Sequence, residues 1–292
     1  MVNQIKGSEG SLIIMALNDK VALVTGGARG IGKAICEALL AENVKVCVTD
    51  ILEPEGEETL RELIKTYGKE NVIFHKMNVV DENEFEDYKK LKINLKKHVV
   101  VKTKQHFGHL DILCNNAGCA NEAKPREIIE VNVIGVLNGI QMAHKYLFNS
   151  KGEKGGIVIN IASIAGLQPC YILPVYSATK HAVVALTANW GHKDNVELTK
   201  VKVSSVCPNV TDTEMIPDLG TVDQQKQEKS KEVTLKFLQE LQKPSDVANA
   251  VLKVIRDDVS GAFLYVGKAE GAIYRTLKEK DCIDEIYESI KK

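Results

Sequence analysis

The chain has 292 residues, of which 44% are hydrophobic and 26% are charged, and its formal net charge is -1. This composition is typical of a globular protein with a sizeable core. The near-zero charge excludes a global field that would favour nucleic acid or an anionic membrane. The 7 cysteines include no C-x-x-C pair, which favours free thiols in a reducing, cytoplasmic environment.

Residues 1–19 have no pattern of their own and are predicted to form a flexible leader. The apolar stretch at residues 12–17 is much too short to span a bilayer. From residue 20 to residue 292, β-branched runs alternate with longer amphipathic segments, and no Pro/Gly/Ser-rich linker divides them. We therefore predict a single domain of the α/β class, with a doubly wound parallel sheet flanked by helices.

The predicted strands are short apolar runs rich in β-branched residues. They are Val21–Thr25, Lys45–Asp50, Asn71–Met77, Leu110–Asn115, Gly156–Ala162, Val201–Cys207 and Ala262–Val266. Two segments depart from the alternation of strands and helices. The lysine-rich stretch at residues 89–104 is predicted to be a solvated helix face, and residues 210–241 are predicted to cover a substrate site.

A glycine-rich turn follows the first predicted strand. It contains Gly26, Gly30 and Gly32, with Arg29 and Ile31 between them, and an apolar helix begins just beyond it. Missing side chains let backbone N–H groups approach a pyrophosphate, and a helix N-terminus favours an anion. The turn therefore predicts a dinucleotide site, although such turns also serve plain strand-to-helix connections.

Asp50 ends the second predicted strand and precedes Ile51. A carboxylate in this position accepts hydrogen bonds from the adenosine ribose and repels a 2′-phosphate, which favours NAD over NADP. Two alternatives stay open: Arg29 is a cation that would offset this preference, and Asp50 would also serve as a cap for the following turn. After the third strand, Asn78 and Val79 are predicted to hold the adenine edge.

Chemically active side chains follow the fourth and fifth predicted strands. The run Asn116-Ala117-Gly118 lies where the chain must pass close to a ligand, and Ser163 closes the fifth strand. Tyr176 and Lys180 are spaced to share one helix face. A phenol has a reference pKa of about 10, so it needs a nearby cation to act as a base. We predict that Lys180 activates Tyr176 to exchange a proton with a hydroxyl group held by Ser163.

The combination of these motifs resembles the short-chain dehydrogenase/reductase family. In chain order the motifs are Thr25-Gly26-x-x-x-Gly30-x-Gly32, Asn115-Asn116-Ala117-Gly118, Asn132, Ser163 and Tyr176-x-x-x-Lys180. The intervals from Asn132 to Ser163 and from Ser163 to Tyr176 also match the family's usual spacing. The resemblance covers residues 20 to about 266 and implies a Rossmann-type sheet of about seven parallel strands.

The resemblance also assigns roles to individual residues. It implies a catalytic set of Asn132, Ser163, Tyr176 and Lys180, in which Asn132 interrupts its helix and holds a water in a proton relay through Lys180. It implies that Thr211 and Thr213 face the nicotinamide carboxamide. The family usually reads Pro-Gly after the sixth strand, where this chain has Pro208-Asn209. Because Asn tolerates positive φ, we expect the turn to survive.

Within the family, three segments are similar to a group of enzymes that oxidise a secondary allylic alcohol on a lipid with NAD. These segments are residues 155–160, 174–181 and 257–262. That group has a glutamine three residues before its tyrosine, a substrate contact, where this chain has Leu173. We therefore expect a more apolar pocket, and an NAD-dependent dehydrogenase whose hydrophobic alcohol or ketone contacts Ser163, Leu173 and Tyr176.

Two alternative functions stay open: an NADPH-dependent carbonyl or steroid reductase, and a non-catalytic nucleotide-binding regulatory protein. The helix predicted from about Arg126 to Leu147 carries more apolar surface than one core face needs. The resemblance implies that this helix and the helix that carries Tyr176 pair across a two-fold axis in a homodimer. The alternative is a central helix that is buried on most sides within one chain. No metal, nucleic acid or membrane span is predicted.

Overall fold

The computed structural model describes residues 3–4, 17–81, 99–147, 155–216 and 241–276. The predicted leader, the lysine-rich stretch at 89–104 and the predicted cover at 210–241 therefore lie largely outside the described residues. Within the described ranges, no helix is both long enough and apolar enough to cross a bilayer.

Among the described residues, nine strands form one sheet. They are β1 (Asn3–Gln4), β2 (Val21–Thr25), β3 (Lys45–Asp50), β4 (Val72–Lys76), β5 (Ile112–Asn115), β6 (Gly156–Ile161), β7 (Val201–Pro208), β8 (Phe263–Gly267) and β9 (Gly271–Thr276). The spatial order is β1-β9-β8-β7-β6-β5-β2-β3-β4. The strands from β2 to β8 pair in parallel, with Val21 of β2 opposite Lys45 of β3.

Helices cover both faces of the sheet. They are α1 (Gly30–Ala41), α2 (Glu53–Tyr67), α3 (Val99–Phe107), α4 (Pro125–Ile129), α5 (Gly135–Tyr146), α6 (Pro174–Trp190), α7 (Lys193–Thr199) and α8 (Pro244–Asp257). Buried residues of α1, α2 and α8 form one apolar cluster with the sheet, and those of α3, α5 and α6 form another. Because the two clusters lie on opposite sides of the strands, the predicted doubly wound α/β fold is confirmed.

The sheet is larger than predicted, because β9 pairs antiparallel to β8 and β1 pairs antiparallel to β9. The prediction of a wholly parallel sheet is therefore incomplete at this edge. Strand β1 has only two residues and lies within the predicted leader, where Asn3 is opposite Thr276. A strand of two residues is too short to show an alternating pattern in the sequence. Its pairing depends on a strand that is distant in sequence.

The long helix predicted from about Arg126 to Leu147 is divided. Helix α4 passes into a π-helical turn at Glu130–Ile134 before α5 begins at Gly135. Asn132 lies in the middle of that turn, as the family resemblance implies. Such single π turns inside helices are frequent at functional sites.

Candidate active site

A cavity of about 480 Å³ opens at the carboxyl ends of the parallel strands. The loops after β2, β3, β4, β5, β6 and β7 all reach it, which is the usual ligand position in an open α/β sheet. Nearly all sequence-predicted site residues line it: Gly26, Arg29, Gly30, Ile31, Gly32, Asp50, Ile51, Asn78, Val79, Asn116, Ala117, Gly118, Ser163, Leu173, Tyr176, Lys180, Thr211 and Thr213. Asn132 is the exception and lies behind the cavity wall.

The glycine turn between β2 and α1 needs its glycines. Gly26 and Gly30 have φ values of 63° and 54°, in the left-handed region. A Cβ atom on Gly32 would lie 2.0 Å from the carbonyl oxygen of Gly26 and 2.5 Å from the Nδ2 atom of Asn116. The turn therefore brings the start of α1 directly against the loop after β5.

Asp50 caps the turn that follows β3, and its role toward a ribose stays a prediction. Its carboxylate accepts hydrogen bonds from the backbone N–H groups of Ala28 and Leu52, each at 3.0 Å, so it does cap the following turn. It also lines the cavity, with 8% of its surface exposed. Because Ala28 belongs to the glycine turn, Asp50 fixes that turn relative to the end of β3. The neighbouring Arg29 is exposed.

The side chain of Asn116 binds backbone groups of the glycine turn. Its side-chain amide donates hydrogen bonds to the carbonyl oxygens of Thr25 and Gly26, both at 2.9 Å. The hydroxyl oxygen of Thr25 in turn accepts hydrogen bonds from the backbone N–H groups of Asn116 and Ala117, both at 3.0 Å. The amide of Asn116 therefore ties the loop after β5 to the glycine turn.

Asn132 is fully buried and joins three elements. Its Oδ1 atom accepts a hydrogen bond from the Cys119 N–H at 2.9 Å, and its Nδ2 atom donates to the Cys119 carbonyl oxygen at 2.9 Å. Nδ2 also donates to Thr179 Oγ1 on α6 at 3.1 Å. Asn132 thus holds the cavity loop against the helix that carries Tyr176 and Lys180. The water relay implied by the resemblance stays a prediction.

Tyr176 and Lys180 face the cavity from the first turns of α6. Lys180 Nζ lies 5.5 Å from the centre of the Tyr176 ring and donates a hydrogen bond to the Ile161 carbonyl oxygen at 2.8 Å. Burial lowers the pKa of Lys180 to about 8, against the opposing effect of the thiols of Cys119 and Cys207. The pKa of Lys180 is lowered because the ammonium group is enclosed by the protein behind the edge of the sheet.

The pKa of Tyr176 moves in the direction opposite to the predicted activation. Burial raises it to about 12, and a hydrogen bond with the Ser163 side chain only partly offsets this effect. In the protein alone the phenol is therefore protonated at neutral pH, the form that donates a proton to a ketone. Removing a proton from an alcohol would require additional positive charge in the cavity.

Ser163 and its neighbours shape the wall beside Tyr176. Ser163 caps a 3-10 turn at Ile164–Gly166, where its Oγ atom accepts a hydrogen bond from the Ala165 N–H at 3.1 Å. Ser177 Oγ donates to the Ala165 carbonyl oxygen at 2.8 Å and accepts from the Cys170 N–H at 3.3 Å. Leu173 therefore enters the cavity wall from a loop that is held at both ends.

Residues 209–216, the described part of the segment after β7, form another part of the cavity wall, and none of them has a positive φ. Asn209 is not among the residues with positive φ, and its Oδ1 atom accepts a hydrogen bond from the Val210 N–H at 2.8 Å. Thr211 Oγ1 donates to the Asn209 carbonyl oxygen at 3.0 Å and accepts from Gln242 Nε2 at 3.1 Å. The Thr213 methyl group lies 3.2 Å from the Cβ position of Gly30. The contact of Thr211 and Thr213 with a carboxamide stays a prediction.

Glu122 is a site residue that sequence reasoning missed. Only 3% of its surface is exposed, and its carboxylate accepts hydrogen bonds from the backbone N–H groups of Val175 and Tyr176. No motif marks it, because a single glutamate in a loop carries no periodicity and no spacing rule. The contact depends on the tertiary approach of that loop to α6.

The glycine turn and the cavity at the carboxyl edge of the sheet form a site of the kind that binds a dinucleotide. Comparison with known proteins identifies the class of protein as a dinucleotide-dependent oxidoreductase. A sequence model described as short chain dehydrogenase matches residues 20–224. The chain belongs to this family, so it is an oxidoreductase of the alcohol-and-ketone type whose cofactor is a nicotinamide dinucleotide. The resemblance stated from the motifs is confirmed.

Curated relatives cover most of the chain. It is 32% identical over 262 residues to 15-hydroxyprostaglandin dehydrogenase (NAD(+)) of Mus musculus, a match that covers 88% of this chain and 93% of the relative. The Homo sapiens protein of the same name is 31% identical over 261 residues, with coverage of 88% and 94%. A 3-oxoacyl-(acyl-carrier-protein) reductase of Thermotoga maritima is 29% identical over 256 residues, with coverage of 84% and 94%.

Proposed function

We propose that the protein interconverts a hydrophobic secondary alcohol and its ketone, with NAD as the cofactor. The observation that carries this proposal is the set of residues that line one and the same cavity. It encloses the glycine turn and Asp50 at one end and Ser163, Tyr176 and Lys180 at the other. A dinucleotide lying along the carboxyl edge of the sheet would place its reactive ring beside the tyrosine.

The residues present fit this cofactor. A Cβ atom on Gly32 would collide with the Gly26 carbonyl oxygen, so only glycine lets the chain turn this tightly, and a tight glycine turn before a helix forms a cradle for a pyrophosphate. Asp50 would accept ribose hydroxyl groups, and Asn78 and Val79 would face the adenine. When bound, the nicotinamide supplies the hydride acceptor and, in its oxidised form, a positive charge in the cavity.

The protein's own residues would handle the proton. Ser163 orients the substrate oxygen, and Tyr176 takes the hydroxyl proton in oxidation or returns it in reduction. Lys180, which is mainly protonated at pH 7 with its pKa of about 8, stabilises the phenolate that oxidation requires. Its buried position limits competing contacts with solvent.

The apolar wall supports a hydrophobic substrate. Leu173 lies three residues before Tyr176, and Ile164, Met215 and Val131 also line the cavity. The names of the mouse and human relatives specify a hydroxyl-bearing prostaglandin and NAD(+), which supports a lipid-like secondary alcohol. The similar lipid-alcohol enzymes have a glutamine at the position of Leu173. Because leucine is apolar, we expect the substrate of this protein to be less polar beside the reacting carbon than the substrates of those enzymes.

Nicotinamide absorbance with a panel of secondary alcohols and their ketones tests this function. We expect NAD-linked oxidation of apolar alcohols, and we expect Asp50→Ala to weaken NAD binding while improving the relative use of NADP. A clear preference of the wild-type protein for NADPH would contradict the assignment of Asp50. Tight cofactor binding without turnover of any substrate would instead favour a regulatory protein.

A reductase is the second candidate, and one observation favours it. The Thermotoga maritima relative is named as a reductase. Rates measured in both directions at the same pH separate the candidates, because a carbonyl reductase would consume reduced cofactor faster than the alcohol reaction forms it.

A homodimer is part of the proposal. Ile129 is the last residue of α4, and Ile134 is the last residue of the π-helical turn. Their exposed fractions are 47% and 39%, which is high for large aliphatic side chains. Burial of this surface against a second copy would remove it from water. Size-exclusion chromatography with light scattering is expected to give the mass of a dimer, and a monomer would contradict this assignment.

We also propose a reducing, cytoplasmic location. The cysteines that the structure describes are free thiols, and most of them are buried. Retention of activity in millimolar reductant, and its loss under oxidising conditions, is the expected behaviour.

A further inference from the structure

Glu122 lies on the loop between β5 and α4, and its buried carboxylate reaches the helix that carries Tyr176. One oxygen accepts a hydrogen bond from the Tyr176 N–H at 2.8 Å, and the other accepts from the Val175 N–H at 3.3 Å. We propose that Glu122 is a positioning residue that sets Tyr176 relative to the cofactor-facing loop. This inference rests on the proposed function, in which Tyr176 moves the proton.

The start of α6 explains why this contact matters. Pro174 occupies the first position of the helix and has no N–H group, so Val175 and Tyr176 offer the first free donors. The preceding residue, Leu173, makes no side-chain cap. Glu122 therefore supplies the cap from another part of the chain, and its negative charge suits a helix N-terminus.

The burial of Glu122 makes the contact specific. Only 3% of its surface is exposed, and among the described residues no cationic side chain pairs with it. A buried carboxylate is unfavourable unless its oxygens accept hydrogen bonds. Because one planar group holds two successive backbone N–H groups, it fixes the Tyr176 backbone more tightly than a single hydrogen bond would.

The loop that carries Glu122 is itself anchored on the cofactor side. Its first part, Cys119, is held through both backbone groups by Asn132. Asn121 closes a tight turn in which its carbonyl oxygen accepts from the Lys124 N–H at 2.8 Å. Ala120 is buried and lines the cavity. Glu122 therefore connects a rigid cavity loop to Tyr176. Without its carboxylate, the distance between that loop and Tyr176 would no longer be fixed.

Steady-state kinetics and cofactor binding of Glu122→Ala test the proposal. We expect kcat to fall about 10- to 100-fold, because a displacement of about 1 Å in a reacting group can reduce a rate by that much. The dissociation constant for NADH, measured by fluorescence titration, is expected to stay within about twofold. Glu122→Gln keeps the shape and one acceptor oxygen, and we expect it to lose only about two- to fivefold in kcat.

Asp111→Ala is the matched control. Asp111 is also a buried carboxylate that accepts a backbone hydrogen bond, from the Val21 N–H at 2.9 Å. It immediately precedes β5 at the amino end of the sheet, away from the cavity, and it also pairs with Lys20 and His109. We expect this variant to be less stable in urea denaturation while its kcat stays within about twofold of wild type. All variants are assayed at a temperature where denaturation curves show them folded.

Three outcomes would overturn the positioning role. These are wild-type kcat in both Glu122 variants, an equal loss of kcat in Asp111→Ala, and a weakened NADH affinity that accounts for the whole loss. Tyr176→Phe separates this inference from the proposed function. If Tyr176→Phe turns over normally, the proposed function fails. If it is inactive while Glu122→Ala has wild-type kcat, only the positioning role fails.

Discussion

Replacing Lys180 by methionine is expected to abolish activity and to stabilise the protein at neutral pH. Lys180 is 4% exposed, and burial lowers its pKa from 10.5 to about 8. Since the unfolded chain binds the proton more tightly than the folded protein, the ammonium group opposes folding below the folded-state pKa. A shift of this size corresponds to about 3 kcal/mol at pH 7.

The sign of this effect gives it a defined pH window. The destabilisation is nearly complete below pH 8 and is lost as the pH rises from 8 through 10.5, above which neither state holds the proton. By pH 10 it has fallen to about 1 kcal/mol. The variant also loses the hydrogen bond from Nζ to the Ile161 carbonyl oxygen, which offsets about 1–3 kcal/mol of the gain at every pH.

Urea denaturation of wild type and Lys180→Met at pH 7 and pH 10, without cofactor, measures the effect. The difference in unfolding free energy between the two proteins is expected to change by about 2 kcal/mol between these pH values, in favour of the wild type at high pH. Lys65→Met, on the exposed side of α2, is the control and should show no such change. A difference for Lys180→Met that is independent of pH would refute the burial argument.

Three further outcomes are expected. Gly32→Ala places a Cβ atom 2.0 Å from the Gly26 carbonyl oxygen, so thermal unfolding should show a loss of about 1–3 kcal/mol and titration should show at least about tenfold weaker NADH binding; normal affinity would contradict the cradle. Asn132→Ala removes the hydrogen bonds that its side chain makes with the Cys119 N–H and carbonyl groups, and kcat should fall about tenfold or more; an unchanged rate would show that the Cys119 contact is dispensable. Burial raises the pKa of Cys47, Cys114 and Cys207 to about 12, so iodoacetamide at pH 8 should leave all three unmodified by mass spectrometry in the native protein; rapid labelling would contradict their burial.

The sequence predicted the central sheet well because parallel strands are continuous apolar runs. The predicted strands Val21–Thr25 and Lys45–Asp50 coincide with β2 and β3. The edge was missed, since β9 carries no strong alternation and β1 has only two residues. These strands depend on long-range pairing, which is not visible in local patterns.

The candidate site shows the same contrast between local features, which the sequence reveals, and long-range contacts, which it does not. Glycine spacing and the Tyr176–Lys180 pair are local, so the residues that gather in the cavity were predictable. The direction of the Tyr176 pKa was not, because it depends on how completely the folded protein excludes water from the phenol. Glu122 was also missed as a structural tie, since it contacts a segment that is remote in sequence.

Tyr176→Phe tests the central claim most directly. Phenylalanine keeps the ring and removes only the hydroxyl group that would carry the proton. We expect kcat/KM for the best alcohol substrate to fall about 10²- to 10⁴-fold, with NADH affinity unchanged. Turnover at the wild-type rate would contradict the assignment of Tyr176 as the proton-transfer group.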